Sequence, residues 1–360
     1  MDGAIDIAGC IRPDGSLGGA GVLRRETLYL GRSGNRVERF WDSRRSYIYK
    51  PVGDPKTAGR ERWVSRHLKP LIPGIRIPEI VAASDEAGQP AGRAWLVLED
   101  LGALRPIRTA AEAAEAAAWA AAWHRLPVSL VPDAFTGHTP LLDAVAEELK
   151  RDPAALERRL ARAGMSEAGA WAVRLPGLQD LVTPCEAVCH GDYHPGNIAV
   201  HAAGPVVLDW EFVHRNHPYW DLYCLMDITS FRYRKIRLTN RSRLKVLGRY
   251  LEALSDKSAD KPASGSADRL NAADRILRER SAAQPPAGPV SPDGGGRQGV
   301  LLRFARGYAA YAAVYSAWIL GLIENDLASG RAPRRQLERQ WRETAGVLHD
   351  CLSLLVETGA

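Results

Sequence analysis

No run of 18 apolar residues occurs in the 360-residue chain, and its first 30 residues lack the charged-then-apolar pattern of an export signal. Both absences speak against a membrane span or a secreted product, so the expected compartment is the cytoplasm. Cysteine is sparse: Cys10, Cys185, Cys189, Cys224 and Cys351 are odd in number and scattered. The nearest two, Cys185 and Cys189, have no second pair to complete a zinc site, and reduced thiols buried as small apolar side chains are expected. No internal repeat is visible. Nor does one sign of charge dominate, because 48 Lys and Arg against 42 Asp and Glu leave a net +6. That excess suits an anionic ligand and is too diffuse to mark a nucleic-acid surface.

The length suffices for two domains or lobes, each with its own core. Residues 1–21 are Gly-rich and unpatterned and read as a loose leader. From Glu26 to Pro51, two β-like runs flank a turn containing Gly31 and Gly34, and a third run, Ser46 to Lys50, ends in lysine. Glycines at a hairpin tip let backbone N–H groups approach phosphate oxygens without a Cβ in the way. On the third run Tyr47 and Tyr49 face away from Ile48 and Lys50. Lys56 to Leu68 reads as a helix with Trp63, Val64, His67 and Leu68 on its buried side, and it carries Glu61. A strand follows over 75–84, interrupted by Pro78, then a continuous apolar run from Trp95 that ends in two acids and Gly102. Residues 22–101 thus form a small, mainly β lobe.

Helical signals dominate thereafter. Thr109 to Pro127 is alanine-rich, and Thr109 with Glu112 forms a capping-box pattern. Residues 140–175 continue helically, with a new segment at Pro153. Ile236 to Leu251 carries Arg237, Arg241, Arg243, Lys245 and Arg249 without an acid, and is expected to be a solvated basic face. Residues 255–299, rich in Ser, Ala, Pro, Asp and Gly, read as a flexible insertion with a short helix near 270–280. Beyond it, Phe304, Tyr308, Tyr311, Tyr315, Trp318 and Leu322 recur at three and four on one helix, the spacing of a core stripe. A last helix begins at Pro333, with Leu337, Trp341, Val347, Leu348, Leu352 and Leu355 on its buried side. The 102–360 segment is the helical lobe.

The chemistry lies in residues 185–221, CEAVCHGDYHPGNIAVHAAGPVVLDWEFVHRNHPYWD. Asp192 precedes Asn197 by five residues, and Asp209 follows twelve later, after two short strands. Phosphoryl transfer with magnesium needs this set in this order: one carboxylate to accept the proton of an attacking hydroxyl, and an amide oxygen with a second carboxylate to hold Mg²⁺.

HGDYHPGN, LDWE and HPYWDL together resemble the aminoglycoside phosphotransferase and choline kinase superfamily, relatives of the eukaryotic-like protein kinases. The resemblance covers about residues 26–350 apart from the insertion. It implies an α+β, two-lobed protein-kinase-like fold, with a small β-rich N-lobe, a larger mainly helical C-lobe, and ATP and Mg²⁺ bound in the cleft. By motif match it makes Asp192 the catalytic base and Asn197 and Asp209 the Mg²⁺ ligands. Lys50 would bind the α- and β-phosphates and Glu61 would pair with it, Glu38 in the hairpin being the other candidate. Gly31 and Gly34 would lie at the phosphates, and VLEDLG would be the inter-lobe hinge, with Glu99 and Leu101 at the nucleotide. His190 and Asp221 would support the catalytic loop. The alanine-rich helix ending in Trp123 and His124 resembles the long helix before that loop.

Only eleven residues separate Asp209 from Asp221, too few for the peptide-docking segment of a protein kinase. The expected partners are a nucleotide and a small-molecule hydroxyl substrate, with no nucleic acid and no membrane. An aminoglycoside would need clustered acids, for which Glu211, Glu324 and Asp326 are candidates. A choline-like substrate would need an aromatic cage, for which Trp210, Trp220, Tyr315 and Trp318 are candidates. Sugars and amino alcohols fit equally. The alternatives are a kinase-like nucleotide-binding scaffold or regulatory protein without turnover, and a protein kinase.

Overall fold

A computed structural model describes residues 7–31, 34–84, 94–230, 232–233, 235–256 and 296–359. Most of the expected insertion, with its short helix, lies outside the described residues. A first turn of helix, α1 (Ile7–Cys10), precedes strands β1 (Arg24–Leu30), β2 (Arg36–Trp41) and β3 (Ser46–Val52). Helix α2 (Pro55–Trp63), β4 (Ile80–Ala83), β5 (Ala94–Glu99) and β6 (Arg105–Pro106) follow. Then come α3 (Ala110–His124), α4 (Leu142–Arg151), α5 (Pro153–Arg162) and α6 (Ala168–Arg174). The central stretch contributes β7 (Ala187–Cys189), β8 (Ile198–His201), β9 (Gly204–Val207), β10 (His214–Asn216) and α7 (Tyr219–Met226). Helices α8 (Asn240–Ser255), α9 (Arg297–Ser329) and α10 (Arg334–Glu357) complete the chain.

These elements divide into two compact units, one of Met1–Pro106 with Asn197–Val213, the other of Ile107–Gly196 with His214–Ala360. The division differs from the expected break at residue 101. Backbone pairing explains it: β6 joins β8 and β9 in a three-stranded sheet, and Arg76 bridges to Val206. The strands that follow the catalytic loop therefore belong with the β-rich unit.

In that unit β1–β5 form a sheet of order β1-β2-β3-β5-β4, antiparallel at every pairing. Alternation along β3 settles its two faces. Tyr47 and Tyr49 share a core with Phe40, Trp95 and Val97, whereas Val52 packs with Leu96 and Ala58 of α2. The described part of the leader is not loose. Cys10, Ile11 and Leu17 are buried in the Tyr47–Tyr49 core, Ile11 bridges to Leu17, and the Tyr49 hydroxyl donates to the Gly15 carbonyl at 2.5 Å. Three apolar side chains spread over eight residues match no helical or strand period, so the sequence hides this cover. Helix α2 starts at Asp54, whose side chain accepts from Lys56 N–H, and it widens into an i→i+5 turn over Val64–Leu68. The widened turn changes the helix phase, which leaves Val64 and Leu68 buried and His67 exposed.

In the helical unit α3 begins with the expected capping box between Thr109 and Glu112. Its alanines at 113, 116, 117, 120 and 121 are fully buried and admit a close neighbour, α8. Helix α9 packs along α10, with Tyr308, Tyr311 and Tyr315 wholly buried; Leu322, expected in the same stripe, is 39% exposed. Arg243 departs from the solvated face expected of α8. It is 0% exposed and donates to both oxygens of the buried Asp227, to the Leu238 carbonyl and to Asp350. Tyr308 also donates to Asp227, at 2.7 Å. Arg237, Arg241 and Lys245 are exposed.

Candidate active site

Within the β-rich unit the site is built around Lys50. Cross-strand neighbours share a face, so the pairing of Glu38 with Tyr49 turns Glu38 away from Lys50. On the other face lies α2, and Glu61 accepts a short hydrogen bond from Lys50 Nζ. Asp209 Oδ1 accepts from the same ammonium at 2.5 Å, and Glu211 Oε2 lies 3.4 Å from it. One ammonium thus faces three carboxylates. Burial alone would lower the Lys50 pKa, but the charges of Asp209, Glu61 and Glu211 outweigh it and hold it well above the usual lysine value. Burial raises Glu61, opposed by Lys50 and reinforced by Asp209. Burial followed by the Asp209 charge pushes Glu211 up to about 7.

Asp209 has φ of +64°, a left-handed conformation that is uncommon for a non-glycine residue and clusters at functional sites. The turn around it is fixed. Leu208 N–H donates to Asn197 carbonyl at 2.9 Å, and the buried Trp210 ring donates to Val207 carbonyl. Asn197, itself buried, therefore starts a strand pair that Asp209 leaves.

Other expected residues of this unit have defined places. Gly31 and Gly34 close the β1–β2 hairpin, with Gly31 N–H on Asn35 carbonyl and Gly34 at φ +79°. The Glu99 side chain is bonded to Arg76 at 2.6 Å, and its backbone N–H donates to the Glu79 carbonyl at 2.8 Å. Leu101 is buried against Ala199 and Val206. Between them, Asp100 accepts from Arg39 and from Gly102 N–H, which fixes the segment after β5.

In the helical unit the loop from His190 to Gly196 is braced by Asp221. This carboxylate, fully buried on α7, accepts from His190 N–H at 2.8 Å, Gly191 N–H at 3.0 Å, Trp123 Nε1 at 3.0 Å and His124 Nε2 at 3.0 Å. Burial would raise its pKa, but bonding to His124, the histidine charges and the Trp123 bond lower it to about 2. His190, also buried, accepts Asp192 N–H on Nδ1 at 3.2 Å. Trp220 Nε1 donates to the Gly191 carbonyl at 2.8 Å. The Asp192 carboxylate lies 3.5 Å from His194 Nε2. Burial raises its pKa, and the His194 bond with the His194, His190 and His138 charges more than offsets that, leaving Asp192 an anion at neutral pH.

Two groups of described residues bring three metal-ligand atoms within 4.8 Å of one another: Glu61, Asp209 and Glu211, and His124, Cys189 and Asp221. The second set is committed to hydrogen bonds. His124 contacts Tyr250 and Asp221, and the Cys189 thiol donates to backbone carbonyls. The first is rich in negative charge and suits a hard divalent cation with oxygen ligands.

Sequence reasoning did not single out Glu211 as a neighbour of Lys50, nor His194 beside Asp192. The spacings D-x-E and D-x-H were the available signals. The acids and rings considered for acceptor binding are largely engaged elsewhere. Glu324 is paired with Arg159 and Arg162, and Asp326 with Arg331. Trp210, Trp220, Tyr315 and Trp318 are all buried, the last at 9% exposure, so these rings are core and not an open cage.

The model of the phosphotransferase enzyme family matches residues 27–254. No curated protein matches the chain. Among solved structures it is similar to an aminoglycoside phosphotransferase from Alicyclobacillus acidocaldarius, with 14% identity, 94% of this chain and 92% of the other covered, and a TM-score of 0.53. A choline/ethanolamine kinase family protein from Mesorhizobium loti gives 14% identity, 92% coverage of both chains and a TM-score of 0.51. An amicoumacin kinase in complex with AMP-PNP, Ca²⁺ and Ami gives 13%, 92% and 88% coverage, and 0.52. At these identities the likeness is one of fold, α+β and kinase-like.

Proposed function

Because the chain belongs to the phosphotransferase enzyme family, we propose that it moves the γ-phosphoryl group of ATP, with Mg²⁺, onto a hydroxyl of a small molecule, aminoglycoside, amino-alcohol or sugar-like. The observation that carries this reading is the cluster of Glu61, Asp209 and Glu211 on Lys50. Three carboxylates on one ammonium are short of positive charge, and after burial it is the Asp209 charge that pushes Glu211 up to about 7. A divalent cation would relieve that shortage, so the residues fit the ion.

Asn197 and Asp209 are the assigned ligands of Mg²⁺, and Glu211 is close enough to Asp209 to join them. Bound there, the ion would offset charge on the nucleotide phosphates. Lys50, oriented by Glu61, is the assigned contact of the α- and β-phosphates. The hairpin tip at Gly31 and Gly34, where no Cβ stands in the way, is assigned to the phosphates, and the chain from Glu99 to Leu101 to the base. Asp192 receives the proton of the acceptor hydroxyl as its oxygen bonds the γ-phosphorus and the bridging P–O bond to ADP breaks. With a pKa below the usual carboxylate value, Asp192 holds and aligns the hydroxyl more than it retains its proton. His190 and Asp221 fix the loop that carries it. The AMP-PNP and Ca²⁺ in the amicoumacin kinase complex support a nucleotide and a divalent ion as the ligands.

An ATP-consumption screen against aminoglycosides, amino alcohols, sugars and nucleosides tests the reading. At least one class should raise Mg²⁺-dependent ADP release, and that rate should fall by about 10²–10⁴-fold in Asp192→Ala. Equal release from both proteins with every acceptor would overturn it.

A further inference from the structure

We propose that His194 is a positioning residue for Asp192, held in one tautomer and one place by Gly196 and Tyr233; the inference rests on the reading of Asp192 as the proton acceptor. The loop turns back on itself between the two residues, with His194 N–H donating to the Asp192 carbonyl at 2.9 Å. Three observations then fix the ring. Gly196 N–H donates to His194 Nδ1 at 2.9 Å, so in the neutral ring Nδ1 is an acceptor and the proton sits on Nε2. Nε2, which then carries the proton, lies 3.5 Å from Asp192 Oδ2. The ring also stacks on Tyr233, with centroids 4.3 Å apart and planes at 23°.

Gly196 serves this arrangement twice. Besides its N–H, it leaves room, because a Cβ there would lie 2.7 Å from His194 Cε1 and 2.9 Å from Nδ1. Any other residue at 196 displaces the ring it is bonded to. The carboxylate thereby has Oδ2 facing, at 3.5 Å, a ring nitrogen that is itself held in place. Outer groups that orient a reacting side chain in this way change rate by about 10–100-fold when removed.

Two measurements test the proposal, one of which needs no activity. In ¹⁵N-histidine-labelled full-length protein, two-bond ¹H–¹⁵N spectra, with the His194 signal assigned by its loss in His194→Gln, should show Nε2 protonated and Nδ1 bare at pH 8. A protonated Nδ1 would overturn the proposal. In turnover of Mg²⁺-ATP, with an acceptor found by the screen or with water, His194→Phe keeps an aromatic ring and loses the donor. We expect its kcat to fall about 10–100-fold with KM for ATP unchanged. His194→Gln, which offers a side-chain N–H, should recover most of the rate, and Gly196→Ala should lose rate non-additively with His194→Phe. Wild-type kcat in His194→Phe would sink the proposal. Absence of Mg²⁺-ATP binding by the unmodified protein would instead sink the phosphotransferase reading, and the tautomer would still decide the arrangement.

Discussion

Lys50 Nζ meets Asp209 Oδ1 at 2.5 Å across 159 residues of sequence. The lysine comes from the centre of an antiparallel sheet and the aspartate from a left-handed turn after β9, yet both belong to the same compact unit. Their pairing, with Glu61 and Glu211, defines a preformed anionic cluster whose behaviour can be measured without knowing the acceptor.

The cluster makes stability depend on pH. Glu211 titrates at about 7 in the fold against 4.5 for an ordinary glutamate, and Glu61 is raised too. A carboxyl raised by folding favours the fold while protonated. Its contribution is complete below about pH 4.5 and is lost as pH rises through about 7. Urea unfolding free energy should therefore fall between about pH 5 and 8, and Glu211→Gln should flatten that slope. An identical slope in the variant would contradict the assignment. Asp221 and Asp227, both lowered to about 2, act with the opposite sign. Their contribution is present above about pH 4 and lost as pH falls through about 2.

Asp192→Ala should reduce kcat by about 10²–10⁴-fold and leave nucleotide affinity near that of the unmodified protein. Steady-state kinetics in saturating Mg²⁺ separate the two quantities. A comparable loss in both would mean that Asp192 supports binding and not the transfer step.

Arg243→Met should destabilise the protein by about 3–5 kcal/mol, because it leaves the buried Asp227 without its principal cation. Chemical denaturation measures it. A loss below about 1 kcal/mol would show that Lys235 and Tyr308 suffice to compensate Asp227.

The N-terminal cover gives another test. Leu17→Ala should cost about 2–5 kcal/mol, as for a fully packed core leucine, although it lies in a segment without sequence periodicity. A cost near zero in the same denaturation assay would restore the loose-leader reading.

These cases show what the sequence could and could not reveal. Thr109 and Glu112 announce α3 because a cap is a local device, readable from four adjacent residues. Asp192, Asn197 and Asp209 could be picked out because they fall in one stretch with a recognisable order. The grouping of strands 198–207 with the β-rich unit could not, since it depends on pairing with Arg105–Pro106 and Arg76 far upstream. Arg243 was hidden for a similar reason: its partner Asp227 lies outside the basic helix, in a segment that the helix pattern ignores. Leu17 and Tyr49 likewise meet only in three dimensions.

Calorimetric titration of a non-hydrolysable ATP analogue tests most directly the proposed role of Asp209 in holding the metal with which a nucleotide binds. The unmodified protein should bind the analogue much more tightly with Mg²⁺ than with EDTA, and Asp209→Ala should bind equally weakly in both. Equal affinity with and without Mg²⁺ in the unmodified protein, or an undiminished Mg²⁺ effect in Asp209→Ala, would contradict the account.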